Sequence, residues 1–131
     1  MTTDLSRDHK PNLELEKERI IRCGGTVSPY KMNGIPIGPE RVWIDSHQHA
    51  PGLAMSRSIG DTVAASVGTT SEPEFITQII SANDKFLIIA SDGIWEFLSS
   101  DESVDLISRY YASNKLEKGL DALFYEARRR F

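Results

Sequence analysis

The strongest constraint on the fold is the sequence KFLIIASDGIWE at residues 85–96, in which five consecutive apolar residues run directly into an acidic turn. An apolar run of this kind, at residues 86–90, is typical of a strand that is covered on both faces. Asp92 follows at the carboxyl end of that strand, and Gly93 permits a tight turn. A carboxylate held there can be a ligand for a hard metal ion, or it can be a turn residue that accepts hydrogen bonds from backbone amides.

The composition limits the class of protein. A chain of 131 residues with 40% hydrophobic and 26% charged residues has room for one globular domain with a modest core. We expect no membrane segment, since the apolar run is too short, and no secretory signal. The single cysteine, Cys23, cannot form an intramolecular disulfide, so we expect an intracellular protein, cytoplasmic or nuclear. The net charge of -4 argues against binding to nucleic acid.

Helices are predicted at both ends of the chain. Residues 12–23 have glutamates in the early turns and a Gly-Gly pair after the last turn. A second helix is predicted at residues 101–112, preceded by a capping box of Ser99 and Glu102. The last helix has an apolar stripe that we expect to lie in the core: Leu116, Leu120, Leu123, Phe124 and Ala127.

Two strands are predicted, at residues 74–80 and 86–90, and a turn between them favours an antiparallel pair. Residues 26–52 contain four prolines and only a short strand-like piece at 41–44, so we expect an irregular excursion there. An antiparallel sheet packed by helices belongs to the α+β class. The C-terminal helices can cover one face of the sheet, and nothing in the sequence covers the other. The sequence therefore predicts a missing half, supplied by another chain or by residues outside this sequence.

Four segments, taken together and in this order, resemble the metal-dependent protein phosphatases of type 2C. They are DHKP at residues 8–11, followed by a helix ending in RIIRCGG, then RVW at 41–43, GLAMSRSIGD at 52–61 and FLIIASDGIWEFLS at 86–99. The resemblance implies a β-sandwich flanked by helices, of which residues 1–131 form a central to C-terminal part. It also implies metal-dependent hydrolysis of phosphoserine and phosphothreonine in proteins.

The resemblance implies a metal site at Asp92, which matches a ligand of the two Mg²⁺ or Mn²⁺ ions of the family. Gly93 keeps the turn, and Glu96 stands where the family often has an aspartate linked to an additional, weaker metal site. The DGHGG motif of the family, with its bridging aspartate, and its later Asp-Asn motif do not occur in this sequence. One aspartate cannot hold two cations, so we predict that the chain by itself is inactive and carries only part of the active site.

By the same resemblance, Arg57 and Asp61 match a segment near the active site, and the flap that influences substrate access lies at about residues 26–51. A structural role for Arg57 and Asp61, as a local ion pair or a turn contact, is the alternative. His47 and His49 fall within the flap and could bind a transition metal, although a solvated loop is the usual outcome.

Two functions remain open. The first is a protein serine/threonine phosphatase, whose partner is a phosphorylated protein. The second is a noncatalytic interaction module or a degenerate phosphatase. In either case the uncovered apolar face predicts that the isolated chain forms homo-oligomers through the exposed sheet.

Overall fold

The computed structural model describes all residues, 1–131, which divide into two compact units. We call Arg7–Phe75 the hairpin unit, and we call Met1–Ser6 together with Ile76–Phe131 the helical unit. α-Helices and an antiparallel sheet are both present, which confirms the predicted α+β class. None of the helices has the length and apolar composition that a membrane span requires.

The hairpin unit begins with helix α1 (Glu14–Arg22), which confirms the helix predicted at residues 12–23. Acidic residues in its first turn and basic residues in its last turn complement the helix dipole. The helix ends before Gly24, whose φ of 88° is a conformation that glycine adopts without strain. The core of the unit is formed by Ile20, Val42 and Val67, with Val27 and Leu53 packed against them.

A three-stranded antiparallel sheet follows α1, so the prediction of an irregular excursion at residues 26–52 is wrong for most of that segment. Its strands, in spatial order, are β1 (Thr26–Met32), β2 (Ile35–Trp43) and β3 (Pro51–Leu53). Asn33 and Gly34 join β1 to β2 with φ angles of 53° and 81°, the backbone that favours a two-residue hairpin. Pro29 is tolerated because it lies on the edge strand, beside a register shift.

The hairpin unit also contains a short helix, α2 (Thr62–Ala65). Three helices follow in the helical unit: α3 (Asp92–Trp95), α4 (Ser100–Tyr111) and α5 (Leu116–Arg130). The capping box of Ser99 and Glu102 is confirmed at the start of α4. The buried core of the unit is formed by Leu98, Ile107, Leu123 and Ala127.

The apolar stripe predicted for α5 is wrong in part, because Leu123 and Ala127 are buried but the other three residues are exposed: Leu116, Leu120 and Phe124. The reason is Gly119, which lies on the buried face. A Cβ atom at Gly119 would come within 3.1 Å of the Cβ atom of Tyr110 in α4, so this face of α5 approaches α4 closely. The side of α5 with the larger apolar residues therefore points to solvent.

The strands predicted at residues 74–80 and 86–90 are absent, because neither segment belongs to a hydrogen-bonded ladder. The turn between them does form, since the amide of Asp84 donates to the carbonyl oxygen of Ser81 at 3.1 Å. A strand needs a neighbour to pair its backbone groups, and no neighbour reaches these residues. The sheet of this chain is therefore built from residues other than those predicted.

Residues 86–90 nevertheless keep the alternation of a strand. Phe86 and Ile88 pack against the core formed with α4 and α5. Leu87 and Ile89 point the other way, and Ile89 is 87% exposed. The face formed by Leu87 and Ile89, for which the sequence contains no covering element, is thus exposed to solvent in the structure.

Candidate functional site

Asp92 is the first residue of α3, and only Ser91 separates it from the apolar segment at residues 86–90. The indole nitrogen of Trp95 donates to the carbonyl oxygen of Ala90 at 2.8 Å, which ties α3 back to the end of that segment. Glu96 lies one turn after Asp92, since its amide donates to the Asp92 carbonyl oxygen at 2.9 Å. Both carboxylates are exposed, and Gly93 between them has open space around its Cα atom apart from Ser91.

No group of three or more His, Cys, Asp or Glu side chains is arranged to hold a metal ion. Mg²⁺ and Mn²⁺ are hard cations that require several oxygen ligands, and two of them require more than two carboxylates can supply. The side chains of this chain therefore do not by themselves fit a two-metal centre. Asp92 and Glu96 can provide at most a part of the ligands of such a centre.

Arg57 lies in the hairpin unit against a buried carboxylate, Glu16, which the sequence reasoning missed. Glu16 is 4% exposed. Arg57 donates from Nη2 to Glu16 Oε1 at 2.6 Å, and Arg19 donates from Nη2 to Glu16 Oε2 at 2.7 Å. Burial alone would raise the pKa of Glu16, but the hydrogen bonds from Arg19 and Arg57 outweigh it and hold that pKa well below its usual range. The i,i+3 spacing of Glu16 and Arg19 was the available signal.

Arg57 also binds the segment at residues 72–74. Its Nη1 donates to the carbonyl oxygen of Glu72 at 2.9 Å, and its Nη2 donates to Glu74 Oε1 at 2.8 Å. The other carboxylate oxygen of Glu74 lies 3.2 Å from His9 Nε2. The hydrogen bond with His9 is the largest influence on the pKa of Glu74, and together with the charge of Arg57 it lowers that pKa although burial opposes the change. This ion-pair network therefore joins three separate parts of the hairpin unit.

Asp61 takes no part in the ion-pair network. Its Oδ1 atom accepts a hydrogen bond from the amide of Ala64 at 2.9 Å and so caps the short helix α2 (Thr62–Ala65). The structure thus brings Arg57 and Asp61 into different contacts, both with clear structural roles. Their proximity to an active site stays a prediction.

His47 and His49 lie in the loop between β2 and β3. The Nδ1 atom of His49 is 2.7 Å from Asp45 Oδ2, and the two imidazole rings stack with their centroids 5.9 Å apart. The hydrogen bond from His49 lowers the pKa of Asp45. These residues do not form a metal site with a third ligand. They form a local contact on an exposed loop.

The fold is that of a known class of protein. This chain is similar in structure to a serine-threonine phosphatase 2C from Toxoplasma gondii, whose crystal structure is known, with a TM-score of 0.76 and 23% sequence identity. The match covers 96% of this chain and 42% of the Toxoplasma chain. At that identity the match shows the fold alone. It agrees with the α+β architecture described above.

The sequence model of the family described as Protein phosphatase 2C matches residues 1–130. The chain is 43% identical over 108 residues to Probable protein phosphatase 2C 52 from Arabidopsis thaliana, covering 82% of this chain and 22% of that protein. It is 42% identical over 120 residues to Probable protein phosphatase 2C 73 from the same plant, covering 92% of this chain and 31% of that protein. The chain belongs to the protein phosphatase 2C family, and it spans less than a third of the length of these two relatives.

Proposed function

We propose that this chain is part of a domain that hydrolyses phosphoserine and phosphothreonine in phosphorylated proteins, with Mg²⁺ or Mn²⁺ as cofactor. The observation that supports it most is the family match over residues 1–130, in which the segment around Asp92 is included. We also propose that the protein is intracellular and that its active site is formed jointly by this chain and by residues outside it.

The surroundings of Asp92 support its role as a metal ligand. Its carboxylate makes no hydrogen bond or ion pair within the chain, in contrast to Glu16 and Glu74, so it is free to coordinate. Its backbone is held at the start of α3 by the Trp95 contact. Because the backbone is already fixed, only the side-chain torsions of Asp92 have to be ordered when the carboxylate binds an ion. Glu96 adds a second oxygen donor one turn later.

The test compares phosphopeptide hydrolysis with Mn²⁺ by this chain and by the longer parent protein. We expect no turnover by the chain alone. In the parent protein, Asp92→Asn lowers kcat/KM at least about 100-fold, equivalent to about 3 kcal/mol in the barrier. Asp101→Asn is the matched control, because Asp101 is also exposed in the first turn of a helix, and we expect wild-type activity.

Full activity of the Asp92→Asn parent protein would show that Asp92 is not a required ligand. Turnover by the isolated chain would show that the site is complete within 131 residues. Either result contradicts a separate part of the proposal, so the two failures are distinguishable.

A noncatalytic interaction module is the second candidate, favoured by the absence of a metal-binding cluster and by the bare face at Leu87 and Ile89. This face can also support homo-oligomers of the isolated chain. A parent protein without turnover with either metal, but with stable binding to a phosphoprotein, would favour this candidate.

A further inference from the structure

A cleft of about 340 Å³ lies on one face of the sheet in the hairpin unit. Its lining includes Tyr30, Ile37, Arg41, Trp43, Pro51 and Gly52. It combines two aromatic rings, an aliphatic side chain and one charged group. We call it the Arg41 cleft.

Arg41 is half-buried and has no counter-charge. Its Nη1 atom donates to the carbonyl oxygen of Gly52 at 2.7 Å, and no carboxylate forms a salt bridge with it. The other half-buried arginines, Arg19 and Arg57, both share the carboxylate of Glu16. The Nε and Nη2 atoms of Arg41 remain accessible to solvent, so a ligand can reach them. Since Nε and Nη2 of Arg41 have no acceptor in the chain, the guanidinium offers its planar edge to an anion.

An apolar strip leads from the tip of the hairpin to the Arg41 cleft. Tyr30 pairs with Ile37, and Met32 pairs with Ile35, so all four side chains lie on one face of the two strands. All four are exposed, from 43% at Ile37 to 65% at Ile35. Four large apolar side chains exposed side by side are typical of a surface that contacts another protein.

The Arg41 cleft is rigid. The indole nitrogen of Trp43 donates to the carbonyl oxygen of Ser28 at 2.9 Å, which fixes the ring in the floor of the cleft. Gly52 lies flat against that ring, since a Cβ atom there would be 2.9 Å from Cζ3 of Trp43. The ring of Tyr30 is tilted over Trp43 with 6.2 Å between their centroids. A preformed site of this kind requires little ordering when a ligand binds.

We propose that the Arg41 cleft and the apolar strip dock an extended segment of a partner protein that carries an acidic side chain followed by large apolar ones. The carboxylate binds the free Nε and Nη2 edge of Arg41, and the apolar side chains cover the strip between Tyr30 and Ile35. The proposal rests on the proposed function only in that a phosphoprotein substrate supplies such a segment. The docking itself involves no phosphate.

The probe is a phosphate-free synthetic peptide with one glutamate followed by valine, leucine and phenylalanine. Binding is followed by tryptophan fluorescence of the full chain with Trp95→Phe, which leaves Trp43 as the reporter inside the cleft. We expect Arg41→Gln to raise Kd roughly tenfold or more, because it removes a charge-assisted pair of hydrogen bonds. Lys31→Gln is the matched control, since Lys31 is an exposed cation of the same hairpin that lies outside the cleft, and Kd should stay within about twofold.

Changes in the peptide test the same contacts without altering the protein, so the test does not depend on the folding of a variant. Replacing the glutamate of the peptide by glutamine should raise Kd by the same roughly tenfold factor. A peptide of the same composition in which the three apolar residues no longer follow the glutamate should also bind more weakly. Acetate and inorganic phosphate are added separately as competitors, and we expect neither to displace the peptide at equal concentration.

Three results would overturn the proposal: no saturable binding of the peptide, equal binding of its glutamine version, or equal losses in Arg41→Gln and Lys31→Gln. Efficient displacement by inorganic phosphate would assign the cleft to phosphate instead of a carboxylate. None of these measurements involves hydrolysis. Failure of the docking proposal therefore leaves the phosphatase proposal intact, and an inactive parent protein leaves the docking result intact.

Discussion

We expect Glu16→Gln to cause a large loss of stability. Glu16 is 4% exposed and accepts hydrogen bonds from both Arg19 and Arg57. Glutamine has nearly the same shape, but it removes the negative charge, which leaves Arg19 without a counter-charge and Arg57 with only the exposed Glu74. Breaking a buried ion pair by removing one partner costs about 3–5 kcal/mol. Domains are stable by only about 5–15 kcal/mol, so this loss is a large part of the total.

The assay is urea unfolding at pH 7, followed by circular dichroism. With an m value of about 2 kcal/mol/M, a loss of about 4 kcal/mol lowers the midpoint by about 2 M. Glu14→Gln is the matched control, because Glu14 is exposed in the first turn of the same helix. Its expected effect is below about 0.5 kcal/mol.

The same carboxylate makes stability depend on pH. The folded pKa of Glu16 lies below its ordinary value of 4.5, so its contribution is fully present above that value. The contribution is lost as the pH falls from 4.5 through the lower folded pKa. In Glu16→Gln this part of the acid destabilisation should disappear, and in Glu14→Gln it should remain.

A shift of the midpoint in Glu16→Gln no larger than that in Glu14→Gln would refute the reasoning. A double-mutant cycle with Arg57→Gln adds a second check. We expect the two substitutions to be clearly non-additive, since both remove the same interaction. Additive effects would mean that Glu16 and Arg57 stabilise the hairpin unit independently.

Three further predictions concern local features. Ser99→Ala removes the capping hydrogen bond at the start of α4 and should cost about 1 kcal/mol in thermal unfolding. Gly52→Ala should cost about 1–3 kcal/mol in the same assay, because φ is 67° and the new methyl group meets the ring of Trp43. Ile89→Lys should shift the isolated chain toward monomer in sedimentation without loss of folding, whereas Ile88→Lys, which faces the core, should unfold it.

The helices were predictable because their signals are local. The glutamates of α1 and the capping box at Ser99 act within a single turn of chain, and both predicted helices are confirmed. The sequence does not predict the hairpin, although Asn33 and Gly34 mark its turn, because four prolines in that segment argue against strands. Pro29 and Pro51 lie on the edge strands, and Pro36 and Pro39 lie in the part of β2 that pairs with β1 only, since β3 pairs with Val42 and Trp43. Each proline therefore lies where its strand has a neighbour on one side only, a position that tolerates proline.

The strands at residues 74–80 and 86–90 were predicted for the correct physical reason and are still absent. Alternation along the chain places Phe86 and Ile88 on the core side, as a strand would. A hydrogen-bonded ladder also requires a neighbouring strand, and a pattern within one segment carries no information about that neighbour. In this protein the strand pattern of a segment therefore does not by itself predict that the segment joins a sheet.

The sequence by itself determined the helices, the position of Asp92 after an apolar segment and the family. It could not determine the partners of Arg57, because Glu16 lies 41 residues earlier in the chain. It could not show that Arg41 lacks a partner either, since that depends on which carboxylates the fold brings near. Local signals follow from the geometry of one turn or one strand, whereas the pairing of charges depends on distances that only the tertiary structure defines.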